Sequence, residues 1–260
     1  MIGFIVDIEF DWGFQANAIG LSKTSPSFHY PPPTTFLGAL SEVVAKEQRK
    51  GEKNGRKIMQ ELSKNLLAIG VKPLNCLPVK YEDINRIIAV KKTGAVLCPN
   101  PAYLSRSFDA PARAKTILVS LDGEAPRLRW FLIFKDSSLP ANQLWKIHRL
   151  GSKESRVSVV EVKEINDAEI ETIEGIEETT YSFPAREVAI KKLEASRNWL
   201  SEVYIDPFDF TDQPLKDYFE GRKLVTFEVP VIYFKGDEYF CRFEGRAYKY
   251  KEEVIVGRFK

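Results

Sequence analysis

Strict alternation of apolar and acidic residues marks the start of the chain. From Ile2 to Trp12 every second residue is apolar, and Asp7, Glu9 and Asp11 lie between the apolar positions. Because successive side chains of a strand point to opposite faces, this pattern predicts a strand with one face in the core. We interpret the acidic face as the solvent side of that strand.

The segment after this strand lacks periodicity and ends in a proline run. Residues 13–33 are rich in serine, proline, glycine and asparagine, which predicts a long loop. Loops of this length inside a compact domain often carry function. This one contains Lys23, His29 and Tyr30, and cations and aromatic rings of this kind can bind phosphates and stack on nucleobases. A surface flap held by its aromatic residues is the alternative interpretation.

Two helical patterns come after the prolines. Apolar residues recur three and four positions apart over residues 35–50, which predicts a helix with Thr34 or Thr35 as its N-cap. The same spacing over residues 58–69 predicts a second helix that Gly70 closes. Both helices precede the next predicted strand, at residues 84–92.

Two further strands and one insertion complete the first half of the chain. The strands are predicted at residues 127–134 and 157–162, and a helix from Pro140 to Gly151 precedes the second of them. Residues 93–126 contain four prolines, which favours a projecting, hairpin-like insertion over regular structure in a core. We expect this insertion to be dispensable for folding.

The order of these elements predicts the fold class. Without the insertion it is β-α-β-β-α-β, the ferredoxin-like arrangement that RNA-recognition domains also use. Residues 166–260 show mainly strand and turn patterns. We therefore predict an α+β protein. It has a ferredoxin-like domain at residues 1–165, with a thumb-like insertion at about 93–126, and a smaller β-rich domain at residues 166–260.

A glycine-centred loop lies between the last predicted helix and strand of the first domain. Gly151 occupies the position of a helix C′ residue, where glycine adopts a positive φ without strain. The hydroxyls of Ser152 and Ser155 and the charges of Lys153 and Arg156 follow it. Backbone N–H groups, hydroxyls and cations of this kind can bind one anion. A solvated turn after a helix cap is the alternative.

Charge is distributed unevenly although the net value is only +2. Residues 86–156 contain thirteen Lys and Arg against five Asp and Glu, whereas residues 161–187 contain nine acids against two bases. The basic part is compatible with a polyanionic partner. Mutual neutralisation of the two parts on one folded surface is the alternative.

The sequence offers little catalytic chemistry. The chain has two histidines, and His29 beside Tyr30 is the one plausible acid–base pair. No nucleophile-elbow, Walker A or zinc-protease motif is present. The three cysteines lack metal-ligand spacing and are interpreted as small buried apolar residues. We therefore predict no metal and no cofactor.

Three stretches of the sequence carry a resemblance to a known family. They are the alternating first strand, the run YPPPTTFLGAL that begins at Tyr30, and the run HRLGSKES that begins at His148. With these in order, the chain resembles the Cas-five family of CRISPR-associated proteins in the repeat-associated (RAMP) superfamily, and most of all its archaeal type I-A branch. The resemblance covers about the first 165 residues.

The resemblance implies a subunit of a type I Cascade interference complex. Such a subunit holds the repeat-derived 5′ handle of the guide RNA (crRNA) and docks onto the first backbone subunit through its thumb-like insertion. The large and small Cascade subunits are further implied partners. Handle contacts are implied at the glycine loop, at the helix start and at the base of the thumb. With the candidates from the residues themselves, the predicted RNA contacts are Lys23, His29, Tyr30, Thr34, Thr35, Lys91, Lys92, Arg106, Arg113, Lys115, Arg149, Gly151, Ser152, Lys153, Ser155 and Arg156.

Two alternatives to a non-catalytic RNA-binding subunit stay open. One branch of the family is a ribonuclease that uses a tyrosine, a lysine and a histidine, and this chain has no Lys-His pair in the expected region. If the chain does cut RNA, His29 and Tyr30 are the candidates. The other alternative is a purely structural assembly subunit whose basic part meets an acidic partner.

The sequence contains no sign of a membrane partner. No apolar run approaches the roughly 20 residues that span a bilayer. The first residues lack the basic start of a signal peptide. We therefore expect a cytoplasmic protein.

Overall fold

The computed structural model describes residues 1–258 apart from 17–25, 85–86, 89–90, 104–107, 110–111, 137–138, 186–189, 235 and 237. Within these residues the helices are α1 (Pro33–Glu47), α2 (Glu52–Asn65), α3 (Ala141–Leu144) and α4 (Pro214–Phe219). None of the described helices has the length and apolar character that crossing a bilayer requires.

Antiparallel strands make up most of the regular secondary structure in the described chain. In chain order they are β1 (Ile2–Phe10), β2 (Gly13–Phe14), β3 (Leu66–Pro73), β4 (Cys76–Ile84), β5 (Ile87–Ile88), β6 (Lys91–Thr93), β7 (Val96–Cys98), β8 (Phe108–Asp109), β9 (Ala112–Ser120), β10 (Arg127–Phe134), β11 (Val157–Asn166), β12 (Glu171–Thr179), β13 (Phe183–Pro184), β14 (Lys191–Ala195), β15 (Trp199–Ile205), β16 (Leu224–Pro230), β17 (Cys241–Tyr250) and β18 (Glu253–Val256).

The central sheet has the strand order β11-β1-β10-β3, and each neighbouring pair is antiparallel. Strands β1 and β3 therefore run parallel to each other on either side of β10. Helices α1 and α2 connect β1 to β3, and α3 lies between β10 and β11 in the chain. This is the split β-α-β arrangement of the ferredoxin-like fold, so the predicted α+β class is confirmed.

Two predicted elements of this fold are wrong. The second strand is β3 and not residues 84–92, because α2 ends at Asn65 and the apolar run after it is extended. Gly70 lies within that strand and does not close a helix. A Cβ there would stand 2.4 Å from the carbonyl oxygen of Ser182, so glycine permits the close packing of the Ser182 backbone. The helix predicted from Pro140 to Gly151 is the single turn α3.

The insertion is a β-ribbon that begins earlier than predicted. Strands β4 and β9 pair from Cys76 opposite Ser120 to Ile84 opposite Ala112, and the pairs β5–β8 and β6–β7 follow further out. We call residues 76–120 the arm. Leu118 of β9 is buried in the main core, and β2 pairs with the same strand. Residues 93–126 therefore include part of the core, and the expectation that this segment is dispensable for folding fits only the residues beyond the β4–β9 ladder.

One face of the central sheet packs on α1 and α2. The alternating apolar residues of β1, including Phe4, lie in this cluster, as does Trp130 of β10. The ring of Trp130 lies 4.7 Å from that of Phe36 in α1, measured between centroids. The alternation of β1 thus predicted correctly which of its residues face the helices.

The other face of the central sheet is covered by C-terminal strands. Ile5 and Phe131 pack there against Tyr248 and Ile255. Asp7 on this face is only 5% exposed, so the interpretation of its side of β1 as solvent-facing is wrong. The sheet face on which RNA-recognition domains stack bases is consequently closed in this protein.

A partly buried ion-pair network joins β1 to the C-terminal strands across this face. The carboxylate of Asp7 accepts hydrogen bonds of 2.7 Å from both Nε and Nη2 of Arg129. Arg129 also donates to Glu253 of β18 at 3.0 Å, and Glu253 accepts from Lys72 of β3. The hydrogen bonds to Asp7 raise the pKa of Arg129, so this guanidinium stays charged in its partly buried setting.

Residues 166–260 form two more sheets, with strand orders β12-β17-β14 and β13-β16-β15, and β18 also pairs with β17. They enclose a cluster of their own around Phe183, Trp199 and Phe243. Other residues of this part join the clusters on both faces of the central sheet. The division into domains at residues 165 and 166 stays a prediction.

Candidate functional site

The glycine loop is a tight turn and not a helix C-cap. Helix α3 ends at Leu144, and the loop is closed by a bridge between Arg149 and Arg156. Leu150 N–H donates to the carbonyl of Ser155 at 3.0 Å. Gly151 has a φ of +116°, as the sequence predicted for this position. Gly151 adopts this φ because it lies in the turn that the Arg149–Arg156 bridge closes, and not because a helix ends here.

The loop is held against the segment that follows β1. Ser152 N–H donates to the carbonyl of Gln15 at 3.1 Å, and Gln15 N–H donates to the hydroxyl of Ser155 at 2.9 Å. The indole of Trp12 donates to the carbonyl of Glu154 at 2.9 Å. Ser155 is fully buried, so its hydroxyl fixes the loop and is not open to a ligand. The predicted direct contact through Ser155 is corrected to a positioning role.

Helix α1 begins beside this loop. Pro32 is the N-cap and Pro33 is the first helical residue, so Thr34 and Thr35 lie in the first turn. The prediction that one of these threonines is the N-cap is therefore wrong. Proline at the first position fits because that N–H would lack a partner anyway. The Thr34 N–H lies too early in the helix to have an intrahelical acceptor, and the first turn contains no acid. This helix end is therefore a source of positive potential.

The helix start and the glycine loop line one groove of about 410 Å³. Thr34, Thr35 and Gly38 come from α1, and Arg149 and Gly151 come from the loop. The other lining residues are Gln15, Ala16, Phe28, Pro32, Ala39, Glu42, Tyr204, Ile205 and Tyr218. The structure therefore brings together two sequence motifs that lie more than a hundred positions apart. We call this space the inner groove.

Arg149 is fixed at the edge of the inner groove by Glu42 of α1. Its Nε and Nη2 donate to Glu42 Oε2 at 2.9 and 2.8 Å, and Lys46 lies 2.7 Å from Glu42 Oε1. Partial burial would raise the pKa of Glu42, but the hydrogen bonds from Lys46 and Arg149 outweigh it and lower that pKa. Glu42 thus stays ionised, and two cations neutralise the one acid in this wall.

A second groove of about 450 Å³ continues on the far side of Arg149. His148, Lys153 and Arg156 line it, with Asp11 as its one acidic side chain. The side chains of Lys153 and Arg156 are exposed. We call this space the basic groove. Arg149 lines both grooves, and we call the route past Arg149 from one groove to the other the path.

Comparison with solved structures decides the family. A structure described as a CRISPR protein from Archaeoglobus fulgidus is 44% identical to this chain, matches over 100% of both chains and has a TM-score of 0.77. The chain belongs to the CRISPR-associated proteins. A scan against protein-family models finds no match, and a search of curated proteins finds none either.

Tyr30 and His29 of this CRISPR-associated protein do not form an open acid–base pair. Tyr30 is fully buried, and burial raises the pKa of its phenol well above the ordinary value. The ring nitrogen Nδ1 of His29 lies 2.7 Å from Oε1 of Glu202, and the His29 N–H also donates to that carboxylate. Both residues therefore fix the segment before α1 to the rest of the protein. The predicted contact of RNA with the Tyr30 side chain is wrong because no part of it reaches the surface.

Several other predicted contacts lie on the arm or outside the described residues. Lys23 and Arg106 lie outside the described residues. The backbones of Lys91 and Lys92 lie in β6 and that of Arg113 in β9, and their side chains are likewise outside the described part. Lys115 is half-buried in β9 and already interacts with another residue. These positions stay predictions.

Sequence reasoning missed three residues that shape the CRISPR-associated protein's inner groove. Glu42 had a local signal, because Lys46 follows it four positions later on a helix. Gln15 and Tyr218 had none. Gln15 reaches the site through backbone hydrogen bonds, and Tyr218 comes from the C-terminal part through tertiary packing.

Proposed function

We propose that this CRISPR-associated protein is a non-catalytic subunit of a type I Cascade complex that holds the 5′ handle of crRNA. The observation that carries the proposal is the convergence of the α1 start and the glycine loop on one groove, with the basic groove beside it. Cations and backbone N–H groups bind phosphates without reading sequence, as a fixed cradle for a guide strand requires.

The charges along the path support a single strand that crosses the glycine loop. Lys153, Arg156 and His148 offer positive charge or hydrogen bonds in the basic groove, and the α1 start offers its dipole in the inner groove. Arg149 lies between them. A backbone that follows this path meets cationic or helix-end groups in succession, which is the electrostatic pattern of single-strand channels.

The positions of His29 and Tyr30 support binding without cleavage. A general base must reach the 2′-hydroxyl proton that it removes, within hydrogen-bond distance. Tyr30 is inaccessible, and His29 is 20% exposed with its Nδ1 engaged by Glu202. Neither residue lines the two grooves.

The arm supports the second part of the proposal, which is contact with the first backbone subunit. Leu77, Val79 and Tyr81 of β4 alternate on one face with Ile117 and Val119 of β9. Four of these side chains are well exposed, at 42% for Val79, 51% for Tyr81, 38% for Ile117 and 41% for Val119. An exposed apolar face of this kind is typical of a protein–protein contact. The large and small Cascade subunits complete the proposed set of partners.

RNA binding by the purified protein tests the proposal. We expect repeat-derived RNA to bind with an affinity that falls with salt, by about 0.7 in log affinity per log salt for each phosphate neutralised. The double variant Lys153→Glu, Arg156→Glu should weaken binding and reduce that slope. The matched control is Lys57→Glu, Lys64→Glu, which makes the same charge change at exposed positions of α2. Equal effects of the two variants, or an affinity independent of salt, would overturn the proposal.

Incubation of repeat RNA with the protein tests the absence of cleavage. We expect the RNA to stay intact with and without divalent metal. Specific cleavage that disappears in His29→Ala would instead make the protein a ribonuclease of the same fold.

A further inference from the structure

Phosphate binding at the α1 start does not by itself explain the chemistry of the inner groove. Its mouth has polar groups from Thr34, Thr35 and Arg149, but much of its wall is apolar or aromatic. The basic groove, in contrast, is lined by the cations Arg149, Lys153 and Arg156 and by His148. The two halves of the path therefore suit different parts of a nucleotide.

The floor of the inner groove is rigid. Phe28 and Tyr204 are buried and meet edge to face with their ring centroids 4.9 Å apart. The Tyr204 hydroxyl donates to Glu202 at 2.7 Å, so its polar end is already satisfied. These two rings close the bottom of the groove and do not offer a free face.

Tyr218 supplies the aromatic ring at the mouth. It lies in α4, is half-buried, and lines the groove together with Ile205 at the end of β15. Contacts of Asp217 fix the helix that carries this ring. Its carboxylate accepts a hydrogen bond from Thr211 and forms an ion pair with Arg222. Among the aromatic residues that line the groove, Tyr218 is the one that is not buried.

We propose that the inner groove takes one unstacked nucleobase of the bound single-stranded RNA, with Tyr218 as its stacking partner. This inference rests on the proposed function, because it assigns a base to the strand whose backbone lies in the basic groove. The volume of about 410 Å³ is in the range of pockets that enclose small ligands. Proteins that recognise single-stranded RNA commonly splay bases out and stack them on aromatic rings.

The polar residues at the mouth would then face the edge of that base. The hydroxyls of Thr34 and Thr35 and the amide of Gln15 can each donate or accept a hydrogen bond. The Arg149 guanidinium lies where the two grooves meet, in reach of the adjoining phosphate. A base in the groove thus has an apolar face toward Tyr218 and Ile205 and a polar edge toward α1.

A scan with 2-aminopurine tests this inference. The fluorescent base is placed at each position of the repeat-derived RNA in turn, and its emission is measured on binding, since loss of stacking on neighbouring bases raises the emission whereas stacking on a tyrosine ring quenches it. One position should change in brightness or lifetime distinctly from its neighbours, and removal of the base at that position should weaken binding roughly 5- to 150-fold. Tyr218→Ala should cause a similar loss, whereas Tyr218→Phe should keep most of the affinity because the ring is retained.

Phe219→Ala is the matched control. Phe219 follows Tyr218 in the same helix, is 60% exposed and does not line the groove. Its ring meets that of Tyr218 edge to face with centroids 6.4 Å apart, so its removal should change the scan and the affinity far less than Tyr218→Ala does. If the protein binds RNA but no position stands out, or if Tyr218→Ala and Phe219→Ala behave alike, the base pocket is refuted while RNA binding stands. If no RNA binds at all, the proposed function itself fails.

Discussion

The carbonyl oxygen of Gln15 lies against Gly151 at a distance that leaves no room for a side chain. A Cβ at Gly151 would stand 2.6 Å from that oxygen, and the oxygen also accepts the N–H of Ser152 at 3.1 Å. Gly151 in addition has a φ of +116°, a region that residues with a Cβ rarely adopt. The close packing of the glycine loop against the segment after β1 therefore depends on Gly151.

Gly151→Ala should lower the free energy of unfolding by about 1–3 kcal/mol, through backbone strain and the clash with Gln15. It should also weaken RNA binding, because Arg149 and Lys153 flank the displaced turn. Urea unfolding and fluorescence anisotropy measure the two effects. Gly55→Ala in α2 is the control, since a Cβ there meets nothing within 4 Å and should stabilise the helix by about 0.5–1 kcal/mol. Unchanged stability in Gly151→Ala would contradict the argument.

Asp7→Asn should cost about 2–4 kcal/mol of unfolding free energy, because it leaves the half-buried Arg129 with Glu253 as its remaining counter-charge. The next ion pair on the same ladder provides the comparison. Glu9 and Arg127 lie 3.4 Å apart with side chains 32% and 36% exposed, so Glu9→Gln should cost only about 0–1 kcal/mol. Urea unfolding measures the unfolding free energy of both variants. Similar decreases in the two variants would show that burial does not set the strength of these ion pairs.

The same residue shows why the sequence could predict one face of β1 and not the other. The apolar residues on the helix side repeat at period two, and this local signal is sufficient to predict their burial. Asp7 lies in the polar phase of that pattern. Its burial depends on Arg129, its register partner on β10, and on Glu253 at the far end of the chain. No local pattern contains that information.

The strand β3 was missed for a different reason. Leu66 and Ile69 continue the three- and four-residue spacing of α2, and a short apolar run fits a buried strand as well as a helix. The residues of the candidate site likewise fall into those with a local sequence signal and those without one. Gly151 and Thr34 were recognisable from local chemistry, whereas Gln15 and Tyr218 enter the groove only through tertiary contacts.

Glu202 predicts a specific acid dependence of stability. Burial would raise its pKa, but hydrogen bonds from His29 and Tyr204 and the charges of His29 and Lys80 lower it below the ordinary value of 4.5. The unfolded state therefore binds more protons between the two pKa values. The contribution of Glu202 is present above pH 4.5 and is lost as the pH falls through the lowered folded-state pKa.

Glu202→Gln should therefore flatten the fall of unfolding free energy as the pH drops below 4.5, relative to the unmodified protein. Glu61→Gln, at an exposed position of α2, serves as the control and should leave the slope unchanged. Chemical denaturation at a series of pH values gives the slopes. A slope that Glu202→Gln does not alter would mean that the hydrogen bonds of His29 and Tyr204 do not stabilise the ionised carboxylate.

A deletion in the arm can test assembly without disturbing the folding of the rest of the protein. Ile84 and Ala112 are opposite each other at the outer end of the β4–β9 ladder. An Asn-Gly pair joins two such positions as a two-residue hairpin turn, whose twist matches that of the strands. Replacement of residues 85–111 by Asn-Gly therefore removes the outer arm and keeps β9, with the buried Leu118, in place.

We expect this shortened protein to fold, with a Tm within about 4 °C of the full-length chain, because loop entropy changes slowly with length. We infer that the outer arm adds to the contact made by the exposed face of Val79 and Ile117, so co-purification with the backbone subunit should be weakened or lost, while RNA binding by the isolated protein should weaken only in part. The control replaces Gly94-Ala95, between the paired Thr93 and Val96, by Asn-Gly, which keeps the full arm and should keep assembly. Unfolding of the shortened protein would place the outer arm in the core. Assembly that survives the deletion would instead assign docking to the exposed face of Val79 and Ile117 at the base of the arm, which the deletion leaves intact.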